Sequence, residues 1–275
     1  MDFFICPVCK EKLYVQNKSL VCSNNHTFDI AKSGYVNLLL SKQAGKNVHG
    51  DNKLMVRARR DFLSKGYYSR LLTGLSETVK RYLKNSCTIL DAGCGEGYYT
   101  NGVYEFITAE NSDVNIYGVD ISKTALEYAA KKCKDVKYAV GSIFNIPAAN
   151  ESCDILMTLF APFCREEFER VLKKDGILIM VIPSERHLWG LKQAVYDTPY
   201  LNDVKDYDVK EFKLLEREKI TYEMIIDNNQ DIQNLFSMTP YYYKTGKKEQ
   251  ERLANLENLK TEAEFEILTY KIERN

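Results

Sequence analysis

The sequence has no apolar run approaching the ~20 residues that span a bilayer, and its N-terminus lacks the charged-then-apolar order of a secretory signal. A membrane-spanning or exported chain is therefore not expected. Net charge is also absent, with Lys plus Arg and Asp plus Glu at 38 each. Any contact with a polyanion must then use a local basic face. Cysteines are few for the length, eight in 275 residues, and unevenly spread. That distribution argues against a disulfide framework and for a reducing, cytoplasmic setting, where clustered cysteines bind metal. The rest of the composition, 45% hydrophobic and 28% charged, suits one large core with a small appended module.

The cysteine cluster lies at the start. Cys6, Cys9, Cys22 and His26 form a C-x2-C-x12-C-x3-H array. Two thiolates separated by two residues grip one ion from a tight turn, and a second pair closes a tetrahedron. Three cysteines with one histidine make a closed, structural zinc site with no open position for catalysis. A segment of about 40 residues has little core of its own, so Zn2+ would supply much of its folding free energy. A redox dithiol at Cys6 and Cys9 is the competing reading, but no βαβ pattern follows it. His49, alone in a polar stretch, reads as a surface residue.

Three regions follow from this reading: a zinc ribbon over 1–40, a linker with basic helices over 41–84, and a catalytic domain over 85–275. The stretch 41–52 is polar and glycine-containing, as a linker is. The next segment, NKLMVRARRDFLSKG, reads as a helix ending at Gly66 that carries Lys53, Arg57, Arg59 and Arg60. Those charges are either a solvated helix face or a phosphate-contacting patch. A second helix is expected over roughly 69–84.

The catalytic domain opens with CTILDAGCGEGYYT, an apolar strand ending in Asp91, then Gly93, Gly95 and Gly97, then a helix. Glycines at this spacing let the backbone turn sharply and approach a ligand at the carboxyl end of a strand. Dinucleotide sites run G-x-G-x-x-G; D-x-G-x-G-x-G resembles instead the first motif of class I methyltransferases, which use S-adenosylmethionine. The next strand, VNIYGVD, ends on Asp120, 23 positions after Gly97 and placed to accept both ribose hydroxyls of a nucleoside. A helix cap is the alternative for Asp120, with Ser122 competing for that job. VKYAV gives a third strand, and Gly141 and Ser142 stand after it where such enzymes contact adenine. CDILMTLF is a fourth strand, EEFERVLKKDG a helix, GILIMVIP a fifth strand, and a helix follows near 186–196. LLEREKITYEMII and EFEILTYKIE supply two long alternating segments at the sheet's far edge. The expected fold class is α/β, a Rossmann-like seven-stranded sheet with a closing hairpin and a small N-terminal zinc ribbon.

Joined in order, the Cys6/Cys9/Cys22/His26 array, KSGYVNLL, RARRDFLSKGYY, DAGCGEGYYT, RHLWGLK and MTPYYYK resemble the RlmA family over almost the whole chain. These are 23S ribosomal RNA guanine-N1 methyltransferases. The resemblance implies methylation of a guanine in hairpin 35 of 23S rRNA. It also implies zinc on the four matching residues, a homodimer whose cleft accepts the RNA, and cofactor contacts at Tyr68, Gly95, Glu96 and His187.

Guanine N1 carries a proton, so the work of such an enzyme is in-line positioning with a base nearby. Phe160 and Phe163, in the loop after the fourth strand, are either a platform for the unstacked guanine or core aromatics. No residue stands out as the base: Asp154 lies at the wrong end of its strand, and Glu185 remains open. Two other readings compete. One is a methyltransferase for a small-molecule acceptor, disfavoured by the zinc ribbon and arginine helix. The other is a non-enzymatic adaptor, disfavoured by the intact glycine loop with Asp91 and Asp120.

Overall fold

Two sheets organise the computed structural model, which describes residues 2–40, 52–109, 113–204 and 209–273. The expected linker, His49 included, lies outside the described residues except for Asn52. The small sheet is a meander, β1 (Leu13–Gln16), β2 (Ser19–Cys22) and β3 (Thr27–Asp29), paired in that order. A two-residue strand, β4 (Val36–Asn37), then leaves the meander. Next come helices α1 (Lys53–Ser64) and α2 (Ser69–Arg81). The Asn52 side chain caps α1 by accepting from the Met55 amide at 2.9 Å.

The main domain alternates as a doubly wound sheet requires. In chain order its elements are β5 (Cys87–Ala92), α3 (Tyr98–Thr108), β6 (Val114–Asp120), α4 (Lys123–Lys132) and β7 (Lys137–Val140). Then come β8 (Cys153–Leu159), α5 (Arg165–Val171), β9 (Leu172–Pro183) and α6 (Trp189–Val195). The chain ends with β10 (Phe212–Ile226), α7 (Asn229–Ser237), α8 (Lys247–Ala254) and β11 (Leu259–Ile272). Strand order is β10-β11-β9-β8-β5-β6-β7-β4, and only β11 runs against the rest. The central strands read as continuous apolar runs because both sheet faces are covered; all seven residues of β8 are buried.

Three expectations change. The main sheet has eight strands rather than seven, because Val36 and Asn37 pair in parallel with Ala139 and Val140 and extend the edge beyond β7. The helix expected through Gly176 stops at Val171, because Leu172 already pairs with Cys153 and opens β9. The closing pair forms, with β10 and β11 antiparallel along their length, but α7 and α8 intervene and β11 inserts between β9 and β10, so that only β10 lies at that edge.

The sheet carries a separate core on each face. One is roofed by helices, with Phe62, Leu71, Leu75, Val103 and Leu126 buried on Ile89, Ile155 and Ile179. On the other face the N-terminal segment packs beside α5: Phe3, Phe4, Leu13 and Leu20 lie with Leu90, Tyr117, Val119 and Leu156 in the core that also holds Phe168 and Val171. Phe3 stacks on Tyr117 with centroids 4.5 Å apart, and Phe4, fully buried, meets the same ring edge-on at 5.5 Å. Phe4→Ala is therefore expected to cost about 3–5 kcal/mol and to loosen the ribbon from the core. A denaturant midpoint unchanged from wild type would show that this contact carries no stability.

Candidate functional site

The metal site is built from two turns. The Cys6 carbonyl accepts from the Lys10 amide at 2.8 Å, and the Cys22 carbonyl accepts from the Asn25 amide at 2.9 Å. Each turn is closed by a left-handed residue, Lys10 at φ 65° and Asn25 at φ 59°. The four ligand atoms lie within 4.8 Å of one another. Cys9 Sγ is 3.6 Å from Cys22 Sγ, and His26 Nδ1 is 3.6 Å from Cys6 Sγ and 3.3 Å from Cys22 Sγ. A tetrahedron with zinc bonds of ~2.1–2.3 Å has edges of about this length. The donor set and its spacing fit a structural zinc ion held through Nδ1 of the histidine.

The second site lies at the switch point of the sheet. After β5 the chain builds outward to β6 and β7, then returns to β8 on the other side, so a crevice opens at the carboxyl ends of β5, β6 and β8. The glycine loop fills its floor. Gly93 and Cys94 donate their amides to the Val119 carbonyl at 2.8 and 3.2 Å, tying the loop to β6. Asp120 Oδ2 accepts from the Gly95 amide at 2.9 Å, and its Oδ1 accepts from the Ser122 amide at 2.7 Å. Ser122, not Asp120, caps α4, its hydroxyl accepting from the Ala125 amide at 3.3 Å. Asp120 thus braces the loop at the lip of the crevice.

Three carboxylates converge here. Asp91 is buried and its Oδ2 accepts from Thr100 Oγ1 at 2.6 Å, while its Oδ1 is buried with no hydrogen-bond partner among the described residues. Burial, reinforced by the charges of Asp120 and Glu96, pushes the Asp91 carboxyl up to about 7 despite the Thr100 bond. Glu96, also buried, faces Arg59 of α1 at 3.8 Å. A concentration of buried negative charge around a half-buried glycine loop suits a ligand that is a nucleoside at one end and a cation at the other. S-adenosylmethionine, with its sulfonium and ammonium, fits that description.

The far wall is aromatic. Tyr68, which precedes α2, is 3.3 Å through its hydroxyl from His187 Nε2, and both side chains lie against Phe265. His187 Nδ1 is 3.3 Å from the Glu264 amide, which can only donate, so Nδ1 is the bare nitrogen and Nε2 carries the proton. Burial, helped by Lys192, lowers His187 to about 3, so the ring stays neutral. Phe160, directly after β8, is 47% exposed and left-handed at φ 54°, with its ring 5.7 Å from Phe265 and 6.3 Å from Tyr99. A non-glycine residue in that region costs ~1–3 kcal/mol, a strain found most often at functional sites.

The structure separates residues that the sequence groups together. Phe163 packs edge-on against Phe168 and Phe212 in the opposite core, so only Phe160 faces the crevice. Asp154 is held by Lys173 at 2.8 Å and the Thr88 amide at 2.9 Å, at the far end of β8. Glu185 is exposed. After β7, Ser142 accepts from the Phe144 amide at 3.2 Å, and Gly141 donates to the Asp120 carbonyl at 3.0 Å. The arginine helix also divides. Lys53 and Arg57 are exposed, Arg60 pairs with Asp61 and lies 4.5 Å over Tyr128, and Arg59 reaches the glycine loop. Sequence reasoning left Arg59 among the surface charges. Its signal is periodic: it falls between Met55 and Phe62–Leu63 on the buried stripe of α1.

Residues 4–43 match a zinc-ribbon family described as RlmA, N-terminal, and residues 83–254 match a methyltransferase domain family. A Bacillus subtilis protein described as a 23S rRNA (guanine-N1)-methyltransferase, YxjB, is 34% identical over 206 residues, covering 72% of each chain. The 23S rRNA (guanine(748)-N1)-methyltransferase of Streptomyces fradiae is 32% identical over 193 residues, 69% of this chain and 66% of that one. A solved structure from Anaeromyxobacter dehalogenans, described as a type II methyltransferase, shares the fold. Its TM-score is 0.52 at 16% identity, and 74% of this chain and 97% of that chain are covered.

Proposed function

Since this chain belongs to the RlmA family of zinc-ribbon 23S rRNA (guanine-N1)-methyltransferases, we propose that it transfers a methyl group from S-adenosylmethionine to N1 of a guanine in hairpin 35 of 23S rRNA. The observation that carries the reading is the crevice itself, three carboxylates around a glycine loop facing an exposed, strained Phe160.

Each part has a role. Asp120 accepts the ribose hydroxyls, and Gly93, Gly95 and Gly97 let the cofactor lie close to the backbone. Asp91 and Glu96 meet its cationic end, and Tyr68 with His187 forms the opposite wall. Cys6, Cys9, Cys22 and His26 hold zinc and keep the ribbon folded. When bound, the cofactor supplies an electrophilic methyl on a sulfonium. The protein lays the unstacked guanine on Phe160, excludes water with the Phe265 and Tyr99 rings, and holds N1 in line. The 1–40, 41–84 and 85–275 regions then act as substrate-recruiting ribbon, connecting helices and catalytic domain.

The RNA is contacted through a local basic face, since the chain as a whole carries no net charge. A homodimer in the cytoplasm is part of the proposal. The family resemblance supports the dimer, and eight unbridged cysteines support the compartment. No helix among the described residues is long and apolar enough to cross a membrane. The test is methylation of protein-free 23S rRNA with reverse-transcriptase mapping. N1-methylguanine blocks Watson–Crick pairing, so a stop is expected in hairpin 35, and a labelled RNA without that stop would refute the assignment.

Asp91 gives a pH prediction. Its carboxyl ionises near 3.8 in the unfolded chain and about 7 in the ligand-free fold, so the fold holds the proton more tightly. That contribution to stability is complete below the lower value and lost as pH rises through the upper one. Asp91→Asn is expected to flatten this slope and raise the ligand-free melting temperature above about pH 7. A cationic ligand favours ionised Asp91, so wild-type cofactor affinity should rise between about pH 5 and about pH 8. Calorimetry showing a pH-independent affinity would remove Asp91 from the cation's site.

A further inference from the structure

The turn after β9 carries His187 to the crevice, and it is held from behind. Asn202 Nδ2 donates to the carbonyls of Ser184 at 2.9 Å and His187 at 3.0 Å, and the Asn202 amide donates to the Glu185 carbonyl at 2.9 Å. One residue therefore engages three of the four carbonyls from 184 to 187. Its Oδ1 accepts from Lys192 Nζ at 2.7 Å and from the Tyr241 hydroxyl at 3.1 Å. Lys192 is 1% exposed, donates also to the Tyr200 carbonyl at 2.9 Å, and lies 4.3 and 5.1 Å from the Tyr200 and Tyr241 ring centroids. Lys192 ends the RHLWGLK motif and Tyr241 belongs to MTPYYYK, two motifs otherwise used only through His187.

A buried ammonium is a costly way to staple a turn, because desolvating it opposes folding and a neutral side chain would serve packing alone. The turn is also strained: Leu188, next to His187, is left-handed at φ 60°. Such a conformation persists only where the surroundings over-determine it. His187 is faced by Tyr68 before α2, by Phe265 and the Glu264 amide on β11, and by Lys192 on α6; the Glu264 carboxylate pairs with Lys219. With Nδ1 taken by the Glu264 amide, His187 donates Nε2–H to the Tyr68 oxygen, and the Tyr68 proton is left for an acceptor in the crevice.

We propose that Lys192 is a positioning residue for methyl transfer: through Asn202 it clamps the 184–188 turn and thereby fixes His187 as the Nε2–H tautomer against Tyr68. This rests on the reading that His187 lines the cofactor crevice. Asn202→Asp keeps an oxygen for Lys192 and Tyr241 and the main-chain donation to Glu185, but removes both side-chain donations to the turn. It should lower kcat about 10- to 100-fold at saturating cofactor and RNA, with the melting temperature nearly unchanged. Nitrogen NMR of His187 should change from one Nε2–H form to tautomer exchange. Lys192→Met should act in the same direction, and if it does not fold, Asn202→Asp carries the test alone. Wild-type kcat in Asn202→Asp, or a lowered kcat with the His187 signal intact, overturns the clamp. His187→Ala separates the two readings: impaired His187→Ala with normal Asn202→Asp removes only the clamp, whereas normal His187→Ala removes His187 from the crevice.

Discussion

Gly97→Ala is expected to abolish cofactor binding and to destabilise the whole catalytic domain. Gly97 caps α3 in the left-handed region at φ 79°. An added Cβ would lie 2.7 Å from the Ala129 Cβ, 3.1 Å from the Ala129 Cα and 3.0 Å from the Tyr138 hydroxyl. Neither neighbour can give way easily. Ala129 belongs to α4, and the Tyr138 hydroxyl donates to Asn101 Oδ1 at 2.6 Å inside the core. Left-handed strain and overpacking together amount to about 2–5 kcal/mol. In a domain of this size that lowers the melting temperature by about 5–15 °C. Gly95→Ala is the control. Gly95 is also left-handed, at φ 54°, so Ala there costs about 1–2 kcal/mol of backbone strain, but its Cβ would meet only the Arg59 Nη1, at 3.7 Å; the fold should survive while the cofactor, which approaches that backbone, is excluded. Thermal melts and binding titrations of the two variants distinguish the positions. Equal stability losses would mean that crowding at α4 is not what distinguishes Gly97.

Metal removal should have the second large effect. Stripping zinc with a chelator, or replacing Cys22 by Ser, is expected to unfold the ribbon and abolish methylation of 23S rRNA. The ribbon's strands are only two to four residues long, and its turns are held in left-handed conformations at Lys10 and Asn25. Zinc binding supplies about 10 kcal/mol or more to such modules, exceeding what the small sheet contributes. Cofactor affinity should fall only a few-fold, because the ribbon packs on Tyr117 and the β7 edge rather than on the glycine loop. Restoring zinc should restore activity. RNA methylation at the wild-type rate by metal-free protein would show that the ribbon is dispensable for the substrate.

Much of the site was legible because its chemistry is written in short spacings. The zinc tetrad needs two pairs of ligands on two turns, and those turns lie within Cys6–Lys10 and Cys22–His26. The glycine loop and Asp120 are read in the same way, from strand ends and the residues directly after them. Tyr68 and His187 are 119 positions apart, and only the resemblance to a known family, not spacing, indicated them. For Arg59 the charge pattern leaves a solvated face and a phosphate-contacting patch as the alternatives, and neither is a contact with the glycine loop; its place on the buried stripe of α1 is the signal for that contact.

By itself the sequence determined the central strands and the first helices between them, the zinc ligands and the floor of the crevice, since periodicity and turn chemistry act over a few residues. Tertiary structure alone decided what faces the crevice. Packing of the two cores sent Phe160 to the site and Phe163 to the opposite face, though only two residues lie between them. Pairing with Cys153 ended α5 at Val171 despite the helical pattern of the residues beyond. Insertion of β11 beside β9 brought Phe265 and the Glu264 amide to His187, and docking of Phe3 and Phe4 on Tyr117 joined the ribbon to the sheet. Adjacency across elements follows from burying apolar surface over the whole chain, and no window of a few residues records it.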